Sequence, residues 1–170
     1  QGFDPLIPAK LLLIAKPNMK KVVIPYDVTS PSQVLEEETM AVAKAYLEQH
    51  GVQVDIVPLD SCHDIFQKLG SFIGNYDTFM GQEVGTIVQH NAGIAKLCSQ
   101  EGVTFFCSTL EGIPLAAITY ATVPVMMGMC TFEQAGKILF AGQRPATLPV
   151  VSLQSMRELY VNPAVGALQS

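Results

Sequence analysis

Apolar and polar residues are arranged in blocks along this chain, and these blocks predict strands that alternate with helices. Lys21–Pro25 is a short apolar run that ends on proline and meets a polar turn, as expected of a strand. Ser30, Pro31 and Gln33 then match an N-cap, a first helical residue and a capping-box partner, and Gly51 is a C-terminal stop. The predicted apolar stripe of this helix comprises Leu35, Val42, Ala43, Tyr46 and Leu47.

The same alternation continues to about residue 140. Further strands are predicted at 52–58, 76–80, 103–107 and 115–121, with helices at 8–16, 62–73, 84–99 and 125–140. Continuously apolar strands that alternate with helices indicate a parallel sheet covered on both faces. The predicted fold class is therefore α/β, a doubly wound and mostly parallel sheet. The tail from Gln143 shows a short apolar run at 148–153 and no obvious closing element.

Composition narrows the classes of partner. Of 170 residues, 49% are hydrophobic and 15% charged, so the chain can build the core of one domain. The net charge of −5 comes from scattered acids and bases, which disfavours nucleic acid and anionic membrane surfaces as partners. The longest apolar runs, such as Leu11–Ala15, fall far short of the roughly 20 residues that a membrane span needs. Small-molecule or protein partners are favoured.

Motifs of catalysis, nucleotide binding and metal binding are missing from the sequence. It holds no G-x-G-x-x-G, G-x-x-x-x-G-K-[ST], G-x-S-x-G or H-E-x-x-H pattern, and its three histidines lack ligand spacing. The prediction is therefore a protein without enzymatic activity, cofactor or metal. The cysteines show no C-x-x-C pair and are predicted to be buried thiols, with a disulfide left open; they are Cys62, Cys98, Cys107 and Cys130.

Polar residues collect where three of the predicted strands end. In open α/β sheets ligands bind beyond the carboxyl ends of the strands, near the point where the strand order reverses. Turns and helix caps use the same residue types, so each residue also has a purely structural interpretation. Taken together, the residues predict one ligand-binding rim formed by Tyr26, Asp27, Ser30, Gln82, Glu83, Ser108 and Thr109. A phosphorelay receiver is disfavoured, because Gly81-Gln82-Glu83 stands where its aspartate would follow the third strand.

Three stretches carry a likeness to a known family: residues 17–27, residues 128–150, and the C-terminal pieces 160–162 and 166–168. They resemble the second half of bacterial ABC-transporter substrate-binding proteins, which have the periplasmic-binding-protein type I fold and include binders of tryptophan and other aromatic amino acids. The resemblance implies that residues 1–170 form a single lobe of a two-lobed protein. It also implies that the seven rim residues contact a small, amino-acid-like ligand held between the lobes.

The resemblance further implies an extracytoplasmic protein, periplasmic or at the cell surface, that delivers its solute to an ABC permease. Residues 122–170 are then expected to pack on a second lobe or a partner chain, and the helix at 125–140 to expose apolar surface through which two copies associate. Ala121–Met127 departs from the family's glycine and aspartate-tyrosine pair, which leaves the ligand type open. A ligand-sensing domain of a signalling protein is the alternative function.

Overall fold

The computed structural model describes residue 4 and residues 6–31, 33–59, 65–82, 86–152 and 156–165. Its centre is a six-stranded sheet in the order β2-β1-β3-β4-β5-β6, in which β1 to β5 are parallel and β6 is antiparallel to β5. The predicted doubly wound, mostly parallel sheet is thus confirmed. The strands are β1 Lys21–Asp27, β2 Gln53–Leu59, β3 Thr78–Met80, β4 Thr104–Cys107, β5 Ile118–Thr122 and β6 Arg157–Val161.

Helices cover both faces of the sheet. The α1/α2 face, which carries Ile24, Met80 and Phe106, packs against the first two helices, and the α3/α4 face, which carries Phe79 and Phe105, packs against the next two. Successive strand residues contribute to opposite faces because side chains alternate across a pleated strand. The helices are α1 Leu6–Ala15, α2 Gln33–Gln49, α3 Ile65–Gly70, α4 Asn91–Glu101 and α5 Pro124–Leu139. None of the helices within the described ranges is long and apolar enough to cross a bilayer.

Strand β1 runs through Pro25 rather than stopping there as predicted. Proline lacks an N–H donor, so it interrupts a ladder only on the side that its nitrogen faces. The carbonyl of Lys21 accepts from Asp77 on the β3 side, while the amide of Val28 donates to Leu59 of β2. Alternation therefore points the nitrogen of Pro25 towards β3, where pairing has already ended at Val23. Pairing with β2 continues to Asp27.

The buried stripe of α2 differs from the predicted one. The buried residues are Glu36, Met40, Ala43 and Leu47, whereas Leu35 and Val42 are exposed at 66% and 43%. Glu36 takes the first buried position because the hydroxyl of Ser30 donates to its Oε1 at 2.6 Å. A carboxylate that is hydrogen-bonded in this way can be buried where hydropathy alone would place leucine.

Strand β6 was missing from the sequence prediction. It pairs with the whole of β5, from Ile118 opposite Val161 to Thr122 opposite Arg157. Its five residues are half-buried or exposed and none is buried, as expected of a short edge strand, so its hydrophobic signal is weak. The apolar run at 148–153, to which no element was assigned, forms no strand over residues 148–152, and Val150 is 84% exposed.

Helix α5 contrasts with the other long helices because none of its residues is buried. Apolar grooves of about 460 and 420 Å³ flank it. The exposed apolar surface predicted for the helix at 125–140 is therefore present in the structure. Its large exposed side chains are Val125, Met127, Met129, Phe132 and Leu139.

Candidate functional site

The candidate site lies at the carboxyl edge of the sheet, where the strand order reverses. From β1 the chain crosses to β2 on one side and then to β3 on the other, which makes the gap between β1 and β3 the topological switch point. The two strands pair only through Val22 and Val23, so they part before their carboxyl ends. We call this edge, including the residues that follow β1, β3 and β4, the rim.

The pleat of the sheet divides the predicted rim residues between its two faces. Tyr26 packs against the α1/α2 face, and alternation places the next residue, Asp27, on the other. Gln82 and Ser108 line a small cavity on the α1/α2 face, whereas Thr109 bonds to residues of the α3/α4 face. The structure therefore brings Gln82 and Ser108 together and separates Thr109 from them. The predicted residue Glu83 lies outside the described residues.

Tyr26 is half-buried at the end of β1. Partial burial raises the pKa of its phenol, and the negative charge of Glu37 and a hydrogen bond to that carboxylate act in the same direction. The phenol is protonated at neutral pH, and its one O–H proton is donated to Glu37. The hydroxyl oxygen can accept a hydrogen bond at the rim.

Asp27 and Ser30 shape the turn that leads from β1 into α2. Asp27 is buried, and its Oδ1 accepts from the amide of Thr29 at 2.8 Å and from the Thr29 hydroxyl at 2.6 Å. Ser30 is also buried, and its hydroxyl bonds to Glu36. The bonds of Asp27 are those of a turn residue, and the bond of Ser30 ties the turn to α2, so direct ligand contact by either side chain stays a prediction.

A second polar group follows β4 on the α3/α4 face and centres on Asn91, the first residue of α4. Asn91 is buried, and its amide nitrogen lies 3.2 Å from Thr109 Oγ1 and 3.4 Å from Cys107 Sγ. Sequence reasoning missed Asn91, because one asparagine inside a helical pattern carries no motif. Its contacts hold the loop after β4 against α4. Cys98, Cys107 and Cys130 are free thiols, and Cys62 lies outside the described residues.

The cavity on the α1/α2 face measures about 40 Å³, and its lining includes Ile24 of β1 and residues that follow β3 and β4. The hydroxyl of Ser108 donates to the carbonyl of Gly81 at 2.9 Å, which ties the ends of β3 and β4 together. Arg157 reaches the same cavity from β6, and sequence reasoning missed it together with the strand. The described residues that line the cavity are Pro8, Ile24, Thr39, Met40, Ala43, Met80, Gly81, Gln82, Ser108 and Arg157.

No group of three or more His, Cys, Asp or Glu side chains with metal-site geometry occurs within the described ranges. No family model matches the chain, and no curated protein matches it either. Solved structures do match it. They carry the fold assignment.

One match is a Streptococcus pneumonia domain described as the ABC domain in complex with L-Trp, with a TM-score of 0.75 and 17% identity over 96% of this chain. A second match is a ligand-free, open substrate-binding protein with adhesive properties from Clostridium difficile, with a TM-score of 0.72 and 19% identity over 95% of this chain. A third match is a conserved domain protein from Vibrio cholerae, with a TM-score of 0.76 and 17% identity over 96% of this chain. The chain spans just over half of each of these proteins, 56%, 54% and 55% of their lengths in the same order.

The chain has a periplasmic-binding-protein-like fold. The predicted likeness to ABC-transporter substrate-binding proteins is confirmed at the level of the fold. At these sequence identities the matches establish the fold and not the function. The function of the rim is therefore a matter of proposal.

Proposed function

We propose that this chain is a solute-binding lobe of an ABC-importer substrate-binding protein. The observation that carries the proposal is the polar rim at the topological switch point of the sheet, where α/β folds bind ligands. Two solved proteins with this fold are a substrate-binding protein and a domain in complex with L-Trp. The solute would contact the rim through Tyr26, Gln82, Glu83, Ser108 and Thr109, with Asp27 and Ser30 shaping the first turn. An amino-acid-like solute agrees with the neighbour that binds L-Trp.

In this proposal the solute is held between two lobes, and the closed pair is the form that a permease recognises. A ligand that contacts both lobes favours the closed state because it binds that state more tightly. Residues 122–170 would then pack on a second lobe or a partner chain, which agrees with α5 having no buried residue. Such a protein would work at the periplasmic or outer side of the membrane.

Titration of the ¹⁵N-labelled chain followed by NMR tests solute binding, since the method detects the weak affinity expected of one lobe. With L-tryptophan, L-alanine and glucose as probes, we expect shifts at the rim residues after β1, β3 and β4. Gln82→Ala should weaken binding about threefold to tenfold, because one neutral hydrogen bond contributes about 0.5–1.5 kcal/mol.

The matched control is Gln53→Ala, which removes an exposed glutamine at the opposite, amino end of β2. This variant should bind as tightly as the unmodified chain. Shifts at the amino edge of the sheet, or no shift with any probe at millimolar concentration, would contradict the proposed function.

Self-association through α5 is a second part of the proposal. Met129 and Phe132 are 68% and 76% exposed, and large exposed apolar patches mark association sites. We expect sedimentation velocity to show dimers whose population rises with concentration. Met129→Ser combined with Phe132→Ser should shift the chain to monomer without lowering its stability, because neither side chain is buried.

The matched control replaces Val34 and Leu35 of α2, which are 71% and 66% exposed, by serine. This double variant should dimerise as the unmodified chain does. A chain that stays monomeric at all concentrations would rule out association through α5.

A further inference from the structure

Four hydroxyl groups at the rim already donate their protons to acceptors within the protein. The pairs are Tyr26 to Glu37, Thr29 to Asp27, Ser30 to Glu36, and Ser108 to the carbonyl of Gly81. A hydroxyl group has one proton and two lone pairs, so a group that has donated its proton can only accept further hydrogen bonds. A solute that bonds to these hydroxyls must therefore supply the donors.

The charges around the rim are mostly negative. No lysine or arginine occurs in the segments that follow β1, β3 and β4, which are residues 28–32, 81–89 and 108–117. Lys20 and Lys21 stand at the start of β1, on the opposite edge of the sheet. Arg157 comes to the rim from β6, but Nε and Nη1 of its guanidinium are buried. Since Glu37 is bonded to Tyr26 at the end of β1, the potential at the rim favours a positively charged group.

Glu36 adds a buried carboxylate against the turn that follows β1. Its side chain is 5% exposed, and its Oε1 accepts from the hydroxyl of Ser30 at 2.6 Å. Its Oε2 is buried and has no hydrogen-bond partner among the residues that the structure describes. A buried carboxylate with an unbonded oxygen is stabilised by a nearby cation, and salt screens it less than an exposed group. This second observation also favours a cationic group at the rim.

Glu37 and Tyr26 have the acceptors that such a group needs. Glu37 is exposed, and its Oε1 accepts from Gln33 Nε2 at 2.8 Å, which holds the carboxylate in place. A carboxylate has about four lone-pair sites, so capacity remains after the bonds from Gln33 and Tyr26. The half-buried Tyr26 brings its hydroxyl oxygen beside the carboxylate as a second acceptor. One charged and one neutral acceptor side by side suit the three N–H donors of an ammonium group.

We propose that Tyr26 and Glu37 recognise an ammonium group, and that the solute of the rim is a primary amine bound through its protonated nitrogen. This inference rests on the proposed solute-binding function. It adds Glu37 of α2 to the predicted rim residues as a residue that determines specificity. It also assigns the orientation of the solute, whose amino end lies beside the start of α2 while the remainder extends across the rim.

The test compares 2-phenylethylamine with 2-phenylethanol, in which a hydroxyl replaces the ammonium group, by NMR titration of the ¹⁵N-labelled chain. L-phenylalanine, 3-phenylpropionate and glucose complete the panel. We expect the amine to bind at least about fivefold more tightly than the alcohol, because charge-assisted hydrogen bonds are about twice as strong as neutral ones. The side-chain amide of Gln33 should shift, since it bonds to Glu37. Added sodium chloride should reduce the preference, because Glu37 is exposed.

Glu37→Gln should abolish the preference for the amine, since it removes the charge and keeps an acceptor oxygen. The matched control is Glu38→Gln, which makes the same change of net charge at the next exposed residue of α2, about 100° further round the helix. This variant should keep the preference. Tyr26→Phe should weaken binding of the amine about threefold, because one neutral acceptor is lost. The amide spectrum of each variant reports whether it is folded.

The outcomes separate this inference from the proposed function. Unchanged binding of the amine by Glu37→Gln or by Tyr26→Phe overturns the inference, and so does an equal loss in the two glutamine variants. A rim that binds glucose, the alcohol or 3-phenylpropionate as tightly as the amine also overturns the inference and leaves solute binding standing. If no probe shifts any rim signal, the inference fails together with the proposed function.

Discussion

Replacing Phe106 by alanine is expected to lower the free energy of unfolding by about 3–5 kcal/mol. Phe106 lies in β4 at the centre of the α1/α2 face, is fully buried, and is in register with Met80 of β3 and Ile118 of β5. Truncation would remove the buried ring and leave a cavity that neighbours on three strands cannot easily fill. Urea unfolding followed by circular dichroism measures the change.

Phe132→Ala is the matched control, because the same substitution then removes a ring that is 76% exposed on α5. For a monomeric sample we expect a change within about 0.5 kcal/mol. A loss below 1 kcal/mol for Phe106→Ala would contradict its central position. Comparable losses for the two variants at low protein concentration would show that α5 is packed against the sheet in solution.

Asp77→Ala is expected to cost about 2–4 kcal/mol, since it removes the charged acceptor of two main-chain amides at the start of β1. Asp77 Oδ2 accepts from the amides of Lys20 and Lys21 at 2.6 and 2.7 Å, which holds the start of β1 beside β3. Its main-chain carbonyl, which the substitution leaves in place, accepts from Lys16 Nζ at 3.1 Å, and that ammonium also donates to Thr104 Oγ1 at 2.9 Å. The cluster fastens the end of α1 to the amino edge of the sheet.

The electrostatics of Lys16 give this prediction a second readout. Burial lowers the pKa of Lys16, and the charge of Asp77 partly offsets that effect. Removing the carboxylate should therefore lower the pKa of Lys16 further, which NMR titration of its side chain can follow. Asp77→Asn keeps an acceptor oxygen without the charge and should lose less stability than Asp77→Ala. Equal losses of stability for the two variants would show that a neutral acceptor at this position contributes nothing, which would contradict the expected difference.

Most of the fold could be predicted because its central strands are buried on both faces. Continuously apolar strands such as the one at 103–107, and helices that end at glycine, leave a strong local signal, and the strands β1 to β5 lie within a few residues of their predicted places. The stripe of α2 could not be placed, because hydropathy favours Leu35 while a hydrogen bond from Ser30 allows Glu36 to be buried instead. That bond depends on the shape of the turn after β1.

By itself, the sequence determined the alternation of strands and helices, the parallel sheet and the edge at which polar residues gather. These depend on local hydrophobic periodicity and on the carboxyl ends of parallel strands sharing one edge. Only the tertiary structure decided that Arg157 joins that edge, because its strand is short, half-exposed and paired with residues more than thirty positions earlier. It also decided which rim residues share a cavity, since neighbours such as Ser108 and Thr109 turn to opposite faces in the loop after β4.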